Sequence, residues 1–88
     1  MKIKDGFAKR EIAGANIVVP VGKNVNEFNG MITLNDSASF IWDCFQKDIT
    51  VEKAVALLTA EYDVTAEKAK ADVEKFVKML KENNLMEA

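Results

Sequence analysis

At Leu34-Asn35 the chain changes its hydrophobic period, and that break constrains the fold more than any other feature of the sequence. Up to residue 34 it is rich in Ile, Val, Phe, Gly and Asn; beyond it Ala, Lys, Glu and Leu dominate. β-Branched and aromatic residues suit a pleated, half-buried strand, whereas Ala, Leu, Glu and Lys are strong helix formers. The predicted order is three strands followed by three helices, an α+β arrangement. With 88 residues there is room for one core, so a single domain over 1–88 is expected.

Residues 7–13 (FAKREIA) and 16–20 (NIVVP) are the first two strand candidates, with a turn at Gly14-Ala15. Pro20 cannot donate to a ladder, so it belongs at the end of its strand or on an edge. In the turn-rich stretch 22–30 (GKNVNEFNG) the pair Asn29-Gly30 suits a type I′ turn, whose two central residues need positive φ. Either 25–28 pairs with 31–34 across that turn, or 22–30 is a loop. MITL at 31–34 is the clearest remaining strand.

The first helix is predicted over 36–46, with Asn35 as its N-cap acceptor. Ala38, Ile41, Trp42 and Phe45 recur at helical spacing. Phe40 and Cys44 widen that stripe to roughly 200°, at 100° per residue, and a helix so apolar packs against two neighbours. A second helix over 51–62 follows Thr50 and places Val51, Ala54, Val55, Leu58 and Tyr62 on one face. A third over 66–83 follows Thr65, with Ala66, Ala69, Val73, Phe76, Val77 and Leu80 on its core stripe. It should end at Asn83-Asn84, since Asn tolerates the left-handed conformation, with Leu85 folding back on the core. Helices two and three form a helix-turn-helix-like unit.

Several chemistries are excluded outright. There is no histidine and one cysteine, which removes disulfides, Cys/His zinc sites and every His-based catalytic arrangement. No Gly-rich phosphate cradle occurs, and no cofactor is implied. Cys44 lies inside an apolar arc and reads as a small hydrophobe rather than a nucleophile. Asp36, Asp43 and Asp72 read as solvated helix faces with Lys partners, not as an acid/base pair. No run of apolar residues reaches the length of a membrane span, and no signal peptide opens the chain, so a cytoplasmic location is expected.

Binding remains. The net charge of −2 disfavours nucleic acid and anionic membranes. The third helix mixes Lys68, Lys70, Lys75, Lys78 and Lys81 with Glu67, Asp72, Glu74 and Glu82, and Arg10 is the sole arginine. A winged helix-turn-helix DNA binder is therefore the weaker alternative. A structural or oligomerising subunit using the wide arc of the first helix is another. A small sheet has edges, and an edge is a template for an added peptide strand. Met79 flanks the third-helix stripe beside Phe76, with Asp72 and Asn83 on the same side; it either closes the core or floors an adaptable groove.

The segments LNDSASFIWDCF, TVEKAVALLTAEYDV and AEKAKADVEKFVKMLKENNLM carry a resemblance to the PqqD-like family, named for the small D protein of pyrroloquinoline quinone biosynthesis. The resemblance runs from about residue 12 to 85. Its specific parts are the strand ending in Leu34-Asn35, the small Ala38, the pair Ile41-Trp42, and Glu61-Tyr62-Asp63. It implies a winged-helix-like peptide-recognition domain, a RiPP recognition element, without catalytic residues. Such a domain binds the leader segment of a ribosomally made precursor and presents it to a modifying enzyme, frequently a radical S-adenosylmethionine enzyme. The leader would add along Gly30, Met31, Ile32, Thr33 and Leu34, and pack on Ala69, Asp72, Val73, Phe76 and Met79, with Lys75 at the rim. Ile32 and Leu34 are expected to face the core. Monomer and strand-exchanged dimer both remain open. The chain departs from the family pattern in its long 22–30 loop, and a free-standing domain without a fused enzyme is expected.

Overall fold

The computed structural model describes residues 1–22 and 32–87. Its elements run β1 (Phe7–Ile12), β2 (Ala15–Pro20), β3 (Ile32–Leu34), α1 (Asp36–Cys44), α2 (Val51–Glu61) and α3 (Ala66–Glu82). The strands form an antiparallel sheet in the order β1-β2-β3. The α+β arrangement of three strands then three helices is thus the one the change of period predicts. Residues 29 and 30, and the pairing considered for 25–28, lie outside the described residues.

The first turn sits one residue earlier than expected. Ile12 pairs with Ala15, which leaves Ala13 and Gly14 as a two-residue connection with φ of 52° and 81°. Both angles are left-handed, as a type I′ hairpin requires to match the strand twist. Gly14 accepts this at no steric cost, but Ala13 does not. Pro20 ends the central strand opposite Phe7, and the next residue, Val21, still donates its N–H to the Gly6 carbonyl at 2.8 Å.

Each helix is capped as its first residues dictate. Asn35 Oδ1 accepts the Ala38 N–H at 2.8 Å, Thr50 Oγ1 that of Lys53 at 3.1 Å, and Thr65 Oγ1 that of Lys68 at 3.1 Å. Each cap satisfies a backbone donor that the helix itself leaves unpaired. α1 ends at Cys44, two residues short of the predicted end. Phe45 already has turn geometry, and its carbonyl is taken by the Ile3 N–H at 3.0 Å. At the end of α3, Asn84 has φ of 59°, the Leu85 N–H reaches the Leu80 carbonyl, and the Asn84 N–H reaches that of Lys81. This is a Schellman motif with its apolar contact between Leu80 and Leu85.

The core joins all of these pieces. Val18 and Leu34 from the sheet meet Ile41, Trp42 and Phe45 of α1, Ala54 and Leu58 of α2, and the α3 stripe from Ala69 to Leu80. Ala66, assigned to that stripe, is exposed in the first turn of α3 instead. The arc of α1 is consumed within the chain: Ile41, Trp42 and Phe45 are buried, and Phe40 packs edge-on against Tyr62 with ring centres 5.6 Å apart. It leaves no broad apolar face for the oligomerising role considered above.

Two tethers were not foreseen. Ile3 is buried and bridges to Met86, and the Lys4 N–H donates to the Leu85 carbonyl at 2.8 Å. Lys9 Nζ on β1 donates to Ser39 Oγ and to both carboxylate oxygens of Asp43, each at 2.8 Å. That contact satisfies Ser39, a buried polar residue of the core, and holds α1 on the sheet.

Candidate functional site

β3 forms a border of the described sheet: β2 is the strand paired with it, through Asn16, Ile17 and Val18. Beside β3 the chain leaves a groove of about 320 Å³. α3 lines it from the other side with Asp72, Lys75, Phe76 and Met79. The start of α1 closes its floor and end with Asn35, Ser37, Ala38 and Ile41. All three residues of β3 reach it.

Each wall follows from local sequence. The stripe on α3 places Phe76 at its border, so one part of the ring seals the core and another part faces the groove; it is 7% exposed. Met79, one helical turn away, is half-buried against the core and lines the same groove, so both readings of this side chain hold together. Ala38 stands between the capped start of α1 and α3, where its small side chain leaves the space open. Leu34 is buried, Ile32 half-buried against the core and Thr33 exposed, as alternation along a strand requires.

Seven of the residues assigned from the sequence are brought together here: Ile32, Thr33, Leu34, Asp72, Lys75, Phe76 and Met79. Ala69 and Val73 do not join them. They lie fully buried under the groove, on the side of α3 that faces the core. Gly30 and Met31 lie outside the described residues. The reading missed Asn35, Ser37, Ala38 and Ile41 as groove residues. Their signal was present in the small Ala38 one turn into a helix that directly follows an edge strand, but periodicity assigned it to the core.

The groove's polar groups are few. Asn35 Oδ1 is occupied by the Ala38 N–H and the Ser37 hydroxyl, which donates at 3.1 Å. Asp72 is half-buried, with Lys68 Nζ 3.4 Å away on the preceding turn. Lys70 pairs with Glu74 and Lys78 with Glu82 in the same i, i+4 manner. These exposed pairs hold three of the five lysines that a DNA-reading helix would turn to phosphates. Cys44 lies outside the groove. Burial, and secondarily the charge of Asp43, push its thiol above the ordinary value. Asp48, fully exposed, is held below the usual carboxylate range by a hydrogen bond from the N-terminal ammonium. Among the described residues, no group of three or more His, Cys, Asp or Glu is placed to hold a metal ion. No helix among them is long and apolar enough to cross a membrane.

A groove between a sheet border and a helix flank marks the chain as a small α+β protein with open space along β3. Over residues 17–86 it matches the family of coenzyme PQQ synthesis protein D, and it belongs to that PqqD family. Two solved structures share the fold. TbiB1, solved in complex with the TbiA(beta) leader peptide, is 23% identical with a TM-score of 0.78, over 100% of this chain and 96% of that one. A lasso peptide synthetase B1, complexed with the leader peptide, is 21% identical with a TM-score of 0.72, over 96% and 93% of the two chains. No curated protein matches the sequence.

Proposed function

We propose that this protein captures the leader segment of a ribosomally synthesised precursor peptide by strand addition along β3 and presents it to a modifying enzyme. The observation that carries the reading is β3 itself, paired with β2 beside a groove floored by Ala38, Ile41, Phe76 and Met79. Backbone hydrogen bonds from a strand border supply affinity with little demand on sequence, and pockets for alternate side chains supply selectivity. Membership of the PqqD family supports it, as do two solved proteins of the same fold, each described with a leader peptide. The module makes and breaks no bond; the chemistry belongs to its partner, which we assign to the radical S-adenosylmethionine class. The contact residues are Ile32, Thr33, Leu34, Asp72, Lys75, Phe76 and Met79.

The test is a titration of the isotope-labelled protein with a synthetic leader from a precursor encoded beside it. Amides of Ile32–Leu34 and of residues 72–79 should shift together. Shifts confined to the outer face of α2 would overturn the reading. Leader capture that persists unchanged when the radical enzyme is added, with no ternary complex, would remove the partner assignment and leave the capture itself standing.

A further inference from the structure

We infer that the groove reads charge as well as shape: its occupant is an extended segment carrying an acidic side chain two positions from a large apolar one, with the carboxylate received by Lys75. The inference rests on the strand-addition reading. Two charged side chains, Asp72 and Lys75, line the groove, and they are not equivalent. The Asp72 carboxylate already has Lys68 on the preceding turn. On either side of Lys75 along α3, Lys70 and Lys78 are engaged by Glu74 and Glu82. Lys75 has no hydrogen-bond or ion-pair partner among the described residues, so its ammonium stands unpaired in the lining, one turn from an Asp72 that Lys68 already meets.

Spacing sets how an occupant meets that charge. From Asp72 to Met79 the α3 wall is about 10 Å long, at ~1.5 Å per helical residue. An extended strand covers that length in about three residues at ~3.4 Å each, and alternate side chains point the same way. Two inward side chains therefore fit, at i and i+2. One rests on the apolar floor formed by Phe76, Met79, Ala38 and Ile41, and the other reaches the rim at Lys75. A basic side chain in the second place would face an unpaired ammonium. A neutral one would leave the attraction unused.

Selection of a displayed library of random twelve-residue peptides on the full chain tests this, with wild type and Lys75→Glu panned in parallel. Wild type should enrich peptides with Asp or Glu two positions from Leu, Ile, Phe or Tyr. Lys75→Glu, a change at an exposed side chain, should enrich Lys or Arg at that position instead. For one selected peptide, Glu→Gln should weaken binding to wild type by about two- to fivefold, the range of an exposed ion pair, and should have no effect on Lys75→Gln. Peptides that shift the Ile32–Leu34 amides but show no charge preference, or the same preference on Lys75→Glu, overturn the charge rule and leave strand addition intact. Peptides that bind only elsewhere overturn strand addition and the charge rule with it.

Discussion

Phe76 and Met79 sit one turn apart on α3 and divide the work of core and groove unequally. Phe76 is packed among the buried side chains and shows the groove only a small part of its ring. Phe76→Ala should therefore cost about 3–5 kcal/mol of stability, as truncation of a buried ring does, read from the urea midpoint. Met79 is half-buried, and Met79→Ala should cost less while weakening leader binding measurably at temperatures where the protein stays folded. Equal losses of stability in the two variants, with leader binding by folded Met79→Ala unchanged, would mean that Met79 serves the core alone. Cys44 makes a pH prediction. Burial and Asp43 raise its folded pKa above the unfolded value of about 8.5, so the fold favours the neutral thiol. Its contribution is full below that unfolded value and is lost as pH rises from there through the raised folded value. Urea midpoints taken between pH 7 and 10 should fall less for Cys44→Ala than for wild type.

The helices begin where Asn35, Thr50 and Thr65 supply a capping oxygen, and all three starts were legible because a cap acts within one turn. The end of α3 was legible for the same reason, since Asn84 accepts the left-handed angle that closes the Schellman motif. The β1–β2 turn was misplaced by one residue because Ala13 offers no local sign of a positive φ. Only the pairing of Ile12 with Ala15 forces it there. That mismatch is correctable. Ala13→Asn creates the Asn-Gly pair preferred in type I′ turns and should raise stability by about 0.5–1 kcal/mol, seen as a higher melting temperature. An unchanged or lower melting temperature would show that the hairpin does not hold both residues in the left-handed region.

Across the whole molecule the two ends of the described chain are tied together. The Ile3 N–H donates to the Phe45 carbonyl, its side chain is buried, and the Glu87 N–H donates to the Lys2 carbonyl at 2.8 Å. Ile3→Ala should cost about 2–4 kcal/mol, because it opens a cavity where the amino-terminal segment, α1 and the carboxy-terminal segment meet. The groove lies elsewhere, so leader affinity below the melting transition should stay within about twofold of wild type. A loss of binding without loss of stability would show that the clasp and the groove are coupled.

The order of elements, their caps and most of the α3 stripe followed from residues alone, whereas which strand borders the described sheet did not. The first three depend on sterics and hydrogen bonds within a few neighbouring positions, and those are written contiguously in the chain. The tertiary structure alone decided which side chains share the groove. It drew Ala38 and Ile41 from α1 across to Phe76 and Met79, sank Ala69 and Val73 beneath the surface, and left Lys75 without a partner among the described residues. Contacts between distant positions depend on how whole faces pack, and a helical period names the face without naming its neighbour.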